Sequence, residues 1–517
     1  MAVPSRADLE RLRTLVAIDD VDSRPSKPIT EVFTGTEIAT IPVGTADDVL
    51  AAIANARTAQ REWAARSPKK RAEVLERFRG LVFKHREFLM DVAQAETGKS
   101  RSAAQEEVVD LALNARYYAK EGPKLLAPQR VQSAMPGVMK TVVHHHPKGV
   151  VGVIAPWNYP MSLSISDAIP ALMAGNGVVI KPDSQTPYCT LANVELLYEA
   201  GVPRDLLAVV PGPGSVVGTA LVENCEYLMF TGSSATGRLL AEQAARRLIG
   251  ISAELGGKNP MIVTKGANLD VVAQAATRAC FSNAGQLCIS IERIYVEEPA
   301  FGEFVEKFGQ KVRDMKLGTA YDFTVDMGSL ISDDQLATVS GHVEDAKAKG
   351  AKVIAGGKHR PDIGPLFFEP TVLTGVTDDM ECARNETFGP LVSIYPVADV
   401  EEAITRANDS IYGLNASVWA RSKSEGEAIG MRLRTGTVNV DEGYGAAFAS
   451  TAAPMGGMGA SGLGRRHGPE GLLKYTEAQT ITTTSFINGD PPFGLPNAIW
   501  QEAFLPLFQV VQRLPGR

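Results

Sequence analysis

Apolar residues recur at helical spacing along "TADDVLAAIANARTAQREWAA" (45–65) and "KKRAEVLERFRGLVFKHREFLMDVAQAETG" (69–98), and this predicts helix over both stretches. Thr45, followed by Asp47 and Asp48, has the chemistry of an N-cap and an acidic first turn. From about residue 148 the pattern changes. Short runs of β-branched and apolar residues, "GVVGVIAP", "NGVVIKP", "LLAVVPGPG", "YLMFTGSS" and "NPMIVTKG", alternate with Gly/Pro turns and helical stretches. Near-continuous apolar strands of this kind are buried on both faces, as in a parallel sheet covered by helices. A second series follows: "IERIYVEE", "AKVIAGG", "LVSIYPV", "LNASVWA" and "TGTVNVDEG". The fold class expected is α/β, with two doubly wound parallel-sheet domains and a cleft between them.

Two further stretches stand apart. "VMKTVVHHHPKG" alternates like a strand, so His144 and His146 share one face and His145 points to the other. Two histidines on a face do not make a metal site, and none is expected. The C-terminal "NAIWQEAFLPLFQVVQRLPGR" places Trp500, Phe504, Leu507, Phe508, Val511 and Leu514 on one helical face, with Pro506 as a possible kink. Its polar face is not basic, so packing within an oligomer is favoured over a membrane surface.

The 517 residues are 44% hydrophobic, enough for two or three cores. A net charge of −7 argues against a nucleic-acid partner. Five scattered cysteines do not form a disulfide framework and suit a reducing cytoplasm. The polar start "MAVPSRADLERLR" has no signal-peptide core, and no apolar run reaches the roughly 20 residues that span a bilayer.

Three short stretches carry chemistry. In "CFSNAGQLCIS", Cys280 follows the helix-like "VVAQAATRA", whereas Cys288 follows a break at Gly285. A glycine there lets the chain turn and a substrate approach, and a nucleophilic thiol needs such access. In "ISAELGGKNP", Glu254 closes an apolar run, where burial raises a carboxyl pKa toward that of a base. In "IAPWNYP", Asn158 sits in a turn between a strand and a proline, held as a donor for an oxyanion is held. Each has a plain structural alternative: a packed thiol, a solvated acid, a turn-closing amide.

Together with "FTGSSATGR" and "NETFGPL", these stretches resemble the aldehyde dehydrogenase superfamily from about residue 30 to 485, nearest to its NADP-type succinate-semialdehyde branch. The resemblance implies that Cys288 is the nucleophile, that Asn158 holds the oxyanion and that Glu254 activates the hydrolytic water, while Cys280 fills a core. Trp157, Lys181, Ser184, Gly232, Ser233, Leu255, Glu386 and Phe388 are the implied cofactor contacts. "GPGSVVG" (212–218) becomes a loop near the adenosine rather than a phosphate cradle. NAD-preferring members often carry glutamate at the position of Ser184. A serine there removes the charge that repels a 2′-phosphate, so NADP is expected ahead of NAD.

The implied substrate is succinic semialdehyde, oxidised through a thiohemiacetal and a thioester. Long hydrophobic aldehydes are the alternative, and a cofactor-independent cysteine hydrolase is the alternative from another class. Members that act on succinic semialdehyde grip its carboxylate with two arginines, where this chain has Ser166 and Ser282; Arg293 and the loop around Ser450 are the substitutes to examine. The expected division is a dinucleotide-binding domain over 1–127 and 148–254 and a catalytic domain over 255–455. An oligomerisation arm and tail over 128–147 and 456–517 would build a homodimer or homotetramer.

Overall fold

The apolar runs become the strands of two large sheets in the computed structural model, which describes residues 2–134, 138–485, 491 and 494–512. The first sheet has the order Gly462–Leu463, Gly250–Glu254, Tyr227–Thr231, Val150–Ile154, Gly177–Lys181, Leu207–Val209. Its pairs are parallel except at Gly462–Leu463, which runs antiparallel to Gly250–Glu254. The second has the order Lys352–Ala355, Thr371–Thr374, Leu391–Val397, Ile291–Glu297, Asn259–Val263, Asn415–Trp419, Thr437–Val440. It is parallel apart from its first pair. Every residue of Val150–Ile154, Gly177–Lys181 and Asn259–Val263 is buried. That two-sided burial is why these strands read as continuous apolar runs.

A third sheet pairs Thr476–Thr484 with Met139–Pro147, and the latter with Gln129–Val131, all antiparallel. The histidine run lies here. The rings of His144 and His146 stack at 6.4 Å, and His145 bonds Thr476 at 3.2 Å on the other face. The first is a pair along one strand and the second a cross-strand polar pair.

Helix Ala46–Ala65 starts as the sequence indicated. Thr45 and Asp48 form a reciprocal capping box, with the Thr45 N–H donating to the Asp48 carboxylate at 2.8 Å. The next periodic run departs from expectation and is two helices, Pro68–Lys84 and Arg86–Thr97. The break falls at His85 (φ −102°, ψ 12°), outside the helical region, although the apolar spacing carries on across it. The hairpin Ser26–Glu31/Thr36–Pro42 and the strand Thr371–Thr374 were not read from the sequence. Residues 462–473, placed with the arm by the sequence division, pack on the first sheet and on helices Pro160–Ala174 and Arg101–Leu125 instead.

The tail forms helix Asn497–Gln512. Trp500 is buried, Phe504 meets it edge-on at 5.6 Å, and Phe508 stacks on Phe504 at 5.9 Å. Leu507, expected on the same face, is exposed. The Val511 side chain and Leu514 lie outside the described residues. Among the described residues no helix is long and apolar enough to cross a membrane.

Candidate active site

Helix Leu269–Phe281, capped by Asn268, carries Cys280 into the core, where it is 1% exposed. The chain then makes a turn over Ser282–Gly285. Asn283, Ala284 and Gly285 are left-handed in succession, with φ of 52°, 54° and 71°. A left-handed alanine costs roughly 1–2 kcal/mol, strain of a kind concentrated at functional sites. At Gly285 a Cβ would stand 2.1 Å from the Gly389 carbonyl oxygen, so no side chain fits. This turn delivers Cys288 to the cleft, half-buried, while the four other cysteines are buried; all five thiols are free.

Asn158 is bound to the same turn. Its Nδ2 donates to the Gln286 carbonyl at 3.1 Å. Its own carbonyl accepts from Asn283 Nδ2 at 3.0 Å and from Lys99 Nζ at 2.8 Å. Lys99 pairs with the buried Glu107, whose carboxylate accepts the N–H groups of Met161 and Ser162 in the first turn of helix Pro160–Ala174. The sequence showed a rigid turn at Asn158. It did not show that Lys99, Glu107 and Asn283 hold it, because each comes from a separate segment.

Glu254 is the last residue of strand Gly250–Glu254 and is 4% exposed. Burial pushes its carboxyl up to about 7, opposed by the positive charges of Arg466 and Lys474. Burial pushes the Cys288 thiol up to about 12, with Arg466 pulling it down and the acids Glu254 and Glu386 adding to the rise.

Cys288, Glu254 and Asn158 open together on a cleft of about 240 Å³. Trp157, Gly232, Ser233, Leu255, Glu386 and Phe388 bound the same cleft. Ser233 caps helix Ser234–Arg246, so that helix presents its N-terminal N–H groups at the cleft, a setting suited to a phosphate. Glu386 accepts from the Gly257 N–H at 2.7 Å. Glycine at 256 lets Glu386 lie against the backbone, since a Cβ there would be 2.2 Å from its Oε2. Phe388 meets Trp157 edge-on at 5.5 Å, and Glu292 accepts the N–H groups of Thr387 and Phe388. An open helix N-terminus, a carboxylate acceptor and an aromatic wall fit a dinucleotide. Lys181 and Ser184 stand farther along the first sheet. Lys181 Nζ donates to the Pro182 carbonyl at 2.9 Å, and Ser184 Oγ to that of Gly212 at 3.4 Å.

On its other side Cys288 packs, with Phe448, against the cluster of Tyr159, Leu163, Leu287, Tyr444 and Met455. Tyr444 and Phe448 also line an outer cavity with Glu106 and Arg278. Glu106 accepts from the phenols of Tyr159 and Tyr444, at 3.0 and 2.9 Å, and from Arg278 at 2.9 Å. The Arg278 guanidinium lies 5.4 Å from the Tyr444 ring centre. None of these four was singled out from the sequence. Arg278 sits in the helical run before Cys280, and its charge in an otherwise small-residue stretch was the one available signal.

Ser166 donates to Asp110 at 2.6 Å, and Ser282 lines a cavity that adjoins Arg278. The substitutes considered for the missing arginines do not serve. Arg293 is buried, with its guanidinium spent on the carbonyls of Lys258 and Ala407 and on the Tyr295 hydroxyl, and it faces a different cavity. Ser450 returns its hydroxyl to the Ala446 carbonyl.

The chain belongs to the aldehyde dehydrogenase family, whose sequence profile matches residues 20–481. It is 74% identical over 517 residues, the full length of both chains, to a Mycolicibacterium smegmatis protein provisionally named succinate-semialdehyde dehydrogenase (NADP+). It is 36% identical over 463 residues to the Escherichia coli K12 succinate-semialdehyde dehydrogenase (NADP+), covering 89% of this chain and 94% of that one. Among solved structures, a succinate-semialdehyde dehydrogenase from Burkholderia pseudomallei superposes with a TM-score of 0.85 at 34% identity, covering 90% and 95% of the two chains. The NAD+ complex of a Bacillus cereus aldehyde dehydrogenase gives 0.87 at 31%, covering 94% and 100%.

Proposed function

We propose that this enzyme oxidises succinic semialdehyde to succinate with NADP, by covalent catalysis at Cys288. The observation that carries this reading is the convergence of a thiol, a buried carboxylate and a fixed amide on one cleft, with an apolar pocket behind the thiol. The Cys288 thiolate adds to the aldehyde carbon to give a thiohemiacetal. Asn158 commits one amide hydrogen to Gln286 and offers the other, with the Cys288 N–H, to the oxyanion. As the carbonyl re-forms, hydride leaves the same carbon and a thioester remains. NADP, when bound, supplies the hydride acceptor. Glu254 then takes a proton from water, which attacks the thioester; the acid departs and the thiolate returns. A base poised near neutral pH suits that step.

The cofactor contacts follow the cleft: Trp157, Gly232, Ser233, Leu255, Glu386 and Phe388 about the nicotinamide half, Lys181 and Ser184 at the adenosine end. Serine at 184 leaves room for a 2′-phosphate without repulsion, and Lys27 adds positive charge near Lys181. NAD is the weaker cofactor. The substrate carboxylate finds its positive charge at Arg278, the arginine on the substrate side of Cys288, in place of the family's two. The division into a discontinuous dinucleotide-binding domain, a catalytic domain and an arm belongs to the same reading. So do a homodimer or homotetramer built through the sheet around Met139–Pro147, and a reducing cytoplasm for five free thiols.

The test compares kcat/KM with NADP for succinic semialdehyde, hexanal and decanal. Succinic semialdehyde should lead, and Arg278→Ala should lower its kcat/KM by about 10-fold or more while leaving hexanal unchanged. A lead for the long aldehydes would overturn the substrate.

A further inference from the structure

We infer that Arg466, held by Asp167, is a positioning residue for the general base: it keeps Glu254 in its anionic form while the thioester is hydrolysed. The inference rests on the reading of Glu254 as that base.

The geometry comes from three elements that close around one carboxylate. Thr231 is the register partner of Glu254 in the parallel pair of Tyr227–Thr231 with Gly250–Glu254. The Arg466 guanidinium donates to Thr231 Oγ1 at 3.0 Å and to Asp167 Oδ2 at 2.9 Å. On the opposite edge, Gly462 is the antiparallel partner of Glu254. The loop that includes Gly462 is closed by Met455 and Arg466, which exchange two backbone hydrogen bonds of 2.8 and 2.7 Å. Inside that loop a Cβ on Gly456 would stand 2.9 Å from Glu254 Oε1. The loop that delivers Arg466 is therefore the loop against which Glu254 rests. Glu254 Oε1 and Arg466 Nε are both buried without a hydrogen-bond partner among the described residues.

The charges facing Glu254 are few. Arg466 and Arg465 come from this loop, Asp167 from helix Pro160–Ala174 and Lys474 from the end of helix Gly468–Leu473, and the Cys288 thiol faces it across the cleft. Arg465 turns to the carbonyls of Gly457 and Gly464, and Lys474 Nζ reaches Met229 Sδ at 3.3 Å. His467 is buried beside Arg466 and neutral, pushed down to about 3 by burial and that neighbouring charge. Arg466 is thus the buried cation of the set that is bonded beside Glu254, while Lys474 is half-buried. A buried ion pair is poor at stabilising a fold, because desolvation cancels most of the attraction. Placed beside a base, the same pair sets the base's charge.

The two partners make opposite predictions, and this separates the role from simple packing. The measurement is thioester hydrolysis after a NADPH burst, followed by rapid quench from about pH 5 to 9. Its acid limb reports Glu254. Arg466→Met removes a positive neighbour and should move the limb up by about one pH unit; Asp167→Asn removes a negative neighbour and should move it down. Arg466→Lys should restore it. Should Arg466→Met fail to fold, Arg466→Lys and Asp167→Asn carry the test. Loss of rate at every pH with the limb unmoved, or shifts in the same direction, would overturn the inference. Glu254→Gln, run alongside, keeps the two readings apart. If it hydrolyses the thioester normally, the base is wrong and this inference falls with it. If it stalls after the burst while the Arg466 and Asp167 variants leave the limb in place, only the role of Arg466 is lost.

Discussion

On the proposed mechanism the chemistry at Cys288 depends on one sulfur in a place that resists ionisation. The thiol is pushed up to about 12, so reactivity has to come from neighbouring charge, and Arg466 is the positive group that acts on it. Cys288→Ala should lower turnover by roughly 10⁴-fold or more and leave NADP binding intact, as measured by fluorescence titration beside steady-state rates. Turnover near wild type would remove the nucleophile. Ser184→Glu should shift the NADP/NAD ratio of kcat/KM toward NAD by about tenfold or more, through repulsion of the 2′-phosphate; an unchanged ratio would take Ser184 out of the cofactor argument. Cys288, Glu254 and Asn158, which line one cleft, were legible as candidates because each sits in a short local context: a glycine break, the end of an apolar run, a proline-bounded turn. Arg466, Asp167, Arg278 and Glu106 were not, because their meaning lies in partners far away in sequence. Arg466 meets Asp167 across 299 residues and Glu106 meets Tyr444 across 338.

Among the elements, the turn over Ser282–Gly285 does most to shape the site. Three left-handed residues in a row reverse the chain after helix Leu269–Phe281, and Asn283 ties the reversed segment to Asn158. Gly285→Ala should therefore cost activity through misplaced Cys288, with the overlap on the Gly389 carbonyl as the cause. The expected result is a fall in kcat of about 100-fold in a protein that still folds, checked by circular dichroism and by the size of the NADPH burst. A full burst at the normal rate would show that the turn tolerates a side chain. The glycine break was visible in the sequence; the left-handed Asn283 and Ala284 before it were not, since alanine gives no sign of that conformation. The central strands were legible from their two-sided burial, as at Val150–Ile154. Thr371–Thr374 was missed because four residues ending in threonine carry too little pattern, and the break at His85 because periodicity runs through it.

Over the whole molecule, three buried acids, two of them at the cleft, set how stability responds to pH. Burial pushes Glu96 and Glu386 up to about 8 and Glu254 up to about 7, so in the folded chain they stay protonated where an unfolded chain has released its protons. Glu96 shows the cause: it is 1% exposed, and its burial outweighs the N–H groups of Tyr188 and Cys189, which join helix Arg86–Thr97 to helix Pro187–Ala200 and pull its carboxyl down. A carboxyl whose folded pKa lies above its unfolded value of about 4.3 stabilises the fold less as pH rises between the two. His467 works the other way, since its folded pKa of about 3 makes the fold gain stability as pH rises toward about 6.5. Below about pH 6.5 the two effects oppose each other; from there to about 8 the acids dominate, and Lys474, pushed down to about 8 by burial, opposes them only at the upper end. The cofactor-free enzyme should therefore lose stability between those values, by roughly 1 kcal/mol for each of the three acids. Urea unfolding at half-unit pH steps measures this directly, and a stability that stays flat or rises across the window would show that these carboxylates are ionised in the fold. Glu96→Gln keeps the shape and removes the proton. It should flatten the slope by about a third without touching the acid limb of thioester hydrolysis, because Glu96 supports the helical layer and faces none of the groups around Cys288.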